Sequence, residues 1–158
     1  MCLQPTTFKI LCETSPIQGG LVSASCGKCF TCRLSYLSDI QLKNMLEVRT
    51  AFFKPQLWGF SYDPLYYNQK PDYRQIQGAL KRARNILQRM GLKTEIKFFS
   101  VCEWSDSGRL HWHNIIYGFP FQLSIKQRQQ IWPWGYLHVE EPKNVAKAIR
   151  YHTKYIMK

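Results

Sequence analysis

Acidic residues are scarce in this chain: 10 Asp and Glu stand against 22 Lys and Arg, a formal net charge of +12. That balance excludes a polycation as partner and favours a polyanion, nucleic acid first and an anionic membrane second. No apolar run is long enough to span a bilayer. The opening Met1-Cys2-Leu3-Gln4-Pro5 has neither a basic stretch nor an apolar one, so no signal peptide is expected. Without a Gly-x-x-x-x-Gly-Lys-Ser/Thr loop, a nucleotide-driven motor of that class is excluded. No repeat, low-complexity tract or linker interrupts the 158 residues, and at 45% hydrophobic and 15% aromatic content they are enough for a core of their own. A single compact domain is expected, with residues 1–53 as a lead-in, cysteine cluster and helix, and residues 54–158 as the core.

What is present reads as alternating helices and strands. A helix is expected from about Leu37 to Phe53, and Gln56–Tyr62 is a short aromatic strand ended by Asp63-Pro64. Asp72–Met90 is an amphipathic helix, with Ile76, Leu80, Ala83 and Leu87 on one face and Arg74, Lys81, Arg84 and Arg89 on the other. Thr94–Trp104 and Arg109–Phe119 form a hairpin. A short helix, Ser124–Ile131, a strand, Tyr136–Val139, and a helix from Asn144 onward complete the order. The pattern predicts an α+β fold, an antiparallel sheet with helices packed on one face.

His111-Trp112-His113 lies in the second hairpin strand. Residues two apart on a strand point to the same face, so the imidazoles project together as a divalent metal needs. A three-residue loop Asp106-Ser107-Gly108 would place Glu103 opposite His111, whereas a two-residue loop would put it on the other face. Two imidazoles and a carboxylate suit Mg²⁺ or Mn²⁺. On the last helix Val145, Ile149, His152 and Ile156 form the apolar stripe. Lys147, Tyr151, Lys154, Tyr155 and Lys158 lie opposite, so two tyrosines one turn apart stand among cations that favour a phenolate and hold a phosphodiester.

The chain has 6 cysteines, of which Cys26, Cys29 and Cys32 are at C-x-x-C-x-x-C spacing. This favours metal binding over disulfides and a reducing, intracellular setting. A closed zinc site needs a fourth ligand, for which Cys12 and Cys2 are both candidates. Cys102 is expected in the core, as are most of Trp58, Tyr62, Trp104 and Trp112, which could otherwise stack on unpaired bases. His138 receives no role.

Four blocks in order carry a family resemblance: Ser25-Cys26-Gly27-Lys28-Cys29-Phe30-Thr31-Cys32-Arg33; Trp58-Gly59-Phe60-Ser61-Tyr62-Asp63-Pro64; Glu103-Trp104 with Gly108-Arg109-Leu110-His111-Trp112-His113; and Trp132-Pro133-Trp134-Gly135 with Tyr151-His152-Thr153-Lys154-Tyr155. The chain resembles the HUH endonucleases, most closely the rolling-circle replication initiators of gokushovirus-like Microviridae, small single-stranded DNA phages. The resemblance implies an RRM- or ferredoxin-like sheet and metal ligation by His111, His113 and Glu103. It also implies a 5′-phosphotyrosyl intermediate on Tyr151 or Tyr155, with Lys154 near the phosphate. The implied partners are single-stranded DNA at a phage origin and a host helicase and polymerase, in the host cytoplasm. Other readings are a plasmid initiator or single-domain transposase of the same class, or a non-catalytic, zinc-stabilised nucleic-acid-binding module.

Overall fold

The structure is a computed structural model that describes residues 2–3, 6–9, 21–66 and 72–157. A two-stranded antiparallel ribbon, β1 (Thr6–Lys9) and β2 (Leu21–Ala24), precedes a long helix, α1 (Phe30–Thr50). Then come β3 (Gln56–Tyr62), α2 (Tyr73–Arg89), the hairpin β4 (Lys97–Trp104) and β5 (Leu110–Tyr117), α3 (Ile125–Ile131), β6 (Gly135–Glu140) and α4 (Val145–Thr153), which runs on as a 3₁₀ turn, Lys154–Met157. The four-stranded sheet has order β4-β5-β3-β6 and is antiparallel throughout. The fold class is therefore α+β, as the element pattern predicts.

Local chemistry sets these elements. In β3, Gln56, Trp58, Phe60 and Tyr62 alternate inward, the period-2 pattern of a strand with one core face. Asp72 caps α2 by accepting from the Arg74 amide at 2.8 Å. Ser124 and Gln127 form a reciprocal capping box that starts α3. The ribbon β1–β2 departs from the sequence expectation, because the lead-in carries little periodicity. Helix α1 begins at Phe30 rather than near Leu37, directly after the cysteine block, and ends before Phe53.

The helices do not share one face of the sheet, contrary to the expectation. Ile76, Leu80, Ala83 and Leu87 of α2 and Ile131 of α3 pack with Trp58, Phe60, Trp112 and Ile116 on one side. On the other, Ile149 of α4 packs with Ile115 and Tyr117, flanked by Met45 and Val48 of α1. The reason is visible in β5. Its N-terminal half alternates between buried and half-buried positions, whereas Asn114, Ile115, Ile116 and Tyr117 are all buried. A strand whose successive residues are all enclosed needs cover on both faces. Polar pairs fix the second layer: Tyr117 donates to Asn44 Oδ1 of α1 at 2.6 Å, and Gln41 Nε2 donates to Thr153 Oγ1 at 2.9 Å. Cover on this side stops short of the His111 end of β5, which leaves the outer face open there.

Candidate active site

The hairpin loop positions the site. The Ser105 amide donates to the Arg109 carbonyl and the Gly108 amide to the Ser105 carbonyl, both at 2.8 Å, which closes a loop of Asp106, Ser107 and Gly108. Gly108 has φ +72°, the left-handed position where a Cβ is disfavoured. The register then pairs Glu103 with His111 and Val101 with His113. Glu103, His111 and His113 thus lie on one face, and Glu103 Oε2 sits 3.2 Å from His113 Nε2. Burial, followed by the neighbouring His152, lowers the His113 pKa and favours the neutral imidazole that can ligate a metal. The donor atoms of these three residues do not all lie within 4.8 Å of one another; among the described residues only a cysteine cluster does so.

The tyrosines differ from the expectation of one regular helix. At Lys154 the helix tightens from α to 3₁₀, with fewer residues per turn, so Tyr155 does not continue the outer stripe. Its ring stacks on His113, with centroids 5.1 Å apart and planes within 9°. Burial, hydrogen bonding to Tyr151 and the nearby Glu103 carboxylate push the Tyr155 pKa up. Tyr151 stays 50% exposed, and its ring meets that of Tyr155 edge-on at 5.5 Å. The Lys154 ammonium lies 3.9 Å from the Tyr151 ring centroid and 4.8 Å from that of Tyr155. Lys158 lies outside the described residues.

His152, on the apolar stripe of α4, is only 6% exposed as that position implies, but its ring packs edge-on against His113 at 5.5 Å. Its Nδ1 donates to the Ala148 carbonyl at 2.9 Å, which fixes the tautomer and leaves Nε2 as an acceptor. On the far side, Gly59 of β3 pairs with both His113 and His138. A cleft of about 320 Å³ is lined by Gly59, Ser61, His111, His113, His138, Glu140, Tyr151 and His152. It thus gathers all 4 histidines of the chain. Sequence reasoning misses His138, Glu140 and His152 because their placement depends on β6 pairing with β3 and on the docking of α4. The matching parity of Tyr136, His138 and Glu140 is the available signal.

The second centre is made of sulfur. Cys2, Cys26, Cys29 and Cys32 place their sulfurs within 4.8 Å of one another, with Cys2–Cys29 at 3.8 Å and Cys26–Cys32 at 3.9 Å. Sulfurs around one tetrahedral zinc, each about 2.3 Å from it, stand about 3.8 Å apart. Amides of Cys26 and Cys29 donate to Cys2 Sγ and Cys26 Sγ at 3.4 and 3.3 Å, satisfying thiolate charge. Backbone hydrogen bonding at Leu3 holds the Cys29 thiol down at about 6, while hydrogen bonds to Cys2 and then Cys29 push Cys32 up to about 11. These cysteines could bind a metal such as zinc, and the fourth member is Cys2; Cys12 lies outside the described residues. Cys102 packs against the main core, as expected. Trp58, Tyr62 and Trp112 are buried, whereas Trp104 is exposed. Among the described residues no helix is long and apolar enough to cross a membrane.

Together these features define an α+β protein whose antiparallel sheet carries a histidine–carboxylate–tyrosine cleft on its outer face. A family model described as Replication-associated protein ORF2 matches residues 59–158, and the chain belongs to this family. Replication-associated protein ORF4 of Chlamydia phage 1 is 27% identical over 154 residues, covering 84% of this chain and 37% of the relative. The chain therefore spans little more than a third of that relative's length. The crystal structure of the hypothetical protein ORF119 from Sulfolobus islandicus rod-shaped virus 1 aligns with a TM-score of 0.47 at 16% identity, over 72% of this chain and 91% of that one.

Proposed function

We propose that this protein starts phage DNA replication by nicking single-stranded DNA at an origin, as an HUH-type endonuclease and strand transferase of a Microviridae-like phage. Family membership supports a role in replication. The observation that carries the chemistry is the contact of Tyr155 with His113 and Glu103, with Tyr151 and Lys154 beside it. In this reading Glu103, His111 and His113 hold a divalent ion such as Mg²⁺ or Mn²⁺, which when bound supplies charge neutralisation at the scissile phosphate. The tyrosine hydroxyl of Tyr151 or Tyr155 attacks phosphorus as the bond to the 3′-oxygen breaks. The tyrosine's proton ends on that oxygen, giving a 5′-phosphotyrosyl ester and a free 3′-hydroxyl. The exchange is ester for ester, so a later 3′-hydroxyl can reverse it and close a circle. Lys154 supports the phosphate and the developing phenolate.

The cysteine centre closes on four sulfurs and leaves no position for a substrate, which makes it structural zinc in this reading. The net charge of +12 suits phosphate contacts along the strand. A phage protein of this kind acts in the bacterial cytoplasm, where a host helicase and polymerase would extend the 3′ end.

The test is a labelled, randomised single-stranded DNA pool incubated with Mn²⁺ and run on a denaturing gel. Adducts that survive SDS are expected from the wild type. Tyr151→Phe and Tyr155→Phe should each retain some adduct through the other hydroxyl, and the double variant should form none. Bound DNA without wild-type adduct would reject nicking in favour of a non-catalytic binding module.

A further inference from the structure

The cleft has two chemically unlike ends. At the β5 end stand His111, His113, Lys154 and the tyrosines, which suit a phosphate. At the β6 end Tyr136, His138 and Glu140 share the outer face, and Glu140 Oε2 lies 3.4 Å from His138 Nε2. A carboxylate there repels a phosphate and accepts from an amino or imino group on a base edge. Tyr136, 67% exposed, pairs with Ser61 in the row that continues to His111 and Glu103. Its ring can stack on an unpaired base.

Between the two ends the floor is Gly59, beside His113 and His138. Its φ does not require glycine, and an added Cβ would meet only the His138 Cβ, at an ordinary 3.8 Å. Packing therefore tolerates a side chain at Gly59, yet that side chain would rise into the cleft. The two ends are separated by two strand spacings, about 9.5 Å, the span of one nucleotide.

We propose that the β6 end of the cleft is a base-recognition subsite for single-stranded DNA. Tyr136 stacks on the base next to the scissile phosphate, His138 and Glu140 read its polar edge, and Gly59 leaves room for its sugar. The proposal rests on the reading of this cleft as a single-stranded DNA site.

The experiment enriches a randomised single-stranded DNA pool by binding without added metal, then sequences what is retained. Wild-type protein is expected to enrich one base at one position. Tyr136→Ala and Glu140→Ala, both at exposed positions, should flatten that position and leave the rest of the profile intact, with Tyr136→Ala weakening overall binding about tenfold. Gly59→Val should weaken binding at an unchanged melting temperature. A wild type without positional preference, or variant profiles identical to it, would overturn the subsite. A parallel arm with Mn²⁺ scores SDS-resistant adducts: enrichment without adducts defeats nicking and upholds the subsite, while adducts with unchanged variant profiles do the reverse.

Discussion

The two faces of the sheet are built by different rules. The face under α2 and α3 is aromatic and closed: Trp58, Phe60, Trp112 and Trp132 are almost wholly buried there. Its buried polar groups serve packing. Trp58 Nε1 donates to Gln56 Oε1 at 2.9 Å, and Asn114 Nδ2 donates to the Trp58 carbonyl at 2.9 Å. The face toward α1 and α4 is apolar only in part, with Ile115, Tyr117 and Ile149 at its centre. The rest of it is half-open and carries every histidine, Glu103 and both candidate nucleophiles. Because strand side chains alternate, β5 serves both rules at once: Trp112 and Leu110 face the closed side, His111 and His113 the open one. One face supplies the stability that lets the other keep polar groups poised without a dry core around them.

Substitutions on the open face should separate activity from stability most strongly. Replacing both His111 and His113 with Ala removes two proposed ligands from half-buried positions. Losing several kcal/mol of transition-state stabilisation corresponds to a fall in adduct rate on the order of a thousandfold or more. Melting should move little, roughly within 1 kcal/mol, and DNA binding should persist through its phosphate contacts. Gel quantitation of adduct beside a denaturant melt checks both halves. A collapse of stability equal to the loss of activity would erase the distinction between the faces.

The closed face should respond in the opposite sense. Trp58 is fully buried, meets Phe119 edge-on at 5.1 Å and donates to Gln56. Trp58→Ala should cost about 3–5 kcal/mol, from lost transfer energy and the cavity left behind, with the freed Gln56 oxygen adding to it. Urea unfolding measures this. Whatever remains folded should form adducts at near wild-type rate per folded molecule, because Trp58 does not reach the cleft.

Legibility in the sequence divides along the same line. The parity of His111 and His113, the capped helix α2 and the Gly108 loop are local features, and local spacing and turn chemistry located them. The loop length then placed Glu103 opposite His111. What escaped was set at long range. The second helical layer depends on α1 packing against α4, which no local period encodes. His138 joins the cleft only because β6 pairs with β3 across more than 70 positions of chain, as in Gly59 with His138. The inward turn of Tyr155 follows from a switch to 3₁₀ geometry, and nothing in Tyr151-His152-Thr153-Lys154-Tyr155 distinguishes that switch from a continuing α-helix. Cys2 enters the sulfur cluster from 24 residues before Cys26, a separation that spacing motifs do not cover.

The cysteine centre gives the smallest predicted effect and the sharpest limit on the comparison. It joins Cys2 to the start of α1, on the open side of the molecule but outside both core clusters. Cys29→Ser removes the thiol whose pKa is already lowered to about 6 and so the first to offer a thiolate. Zinc content by mass spectrometry of the intact native protein should fall from one ion per chain to none. The stability change should be smaller than for Trp58→Ala, because the aromatic core and the Ile115–Ile149 contact do not depend on the cluster. Loss of protection should appear by hydrogen exchange in the first turns of α1. The cleft reaches α1 only through α4, by way of the Gln41–Thr153 bond, so adduct formation should decline modestly. A full loss of activity with the melting curve unchanged would instead place the sulfur centre within the working site and redraw the boundary between a packed face and a reactive one.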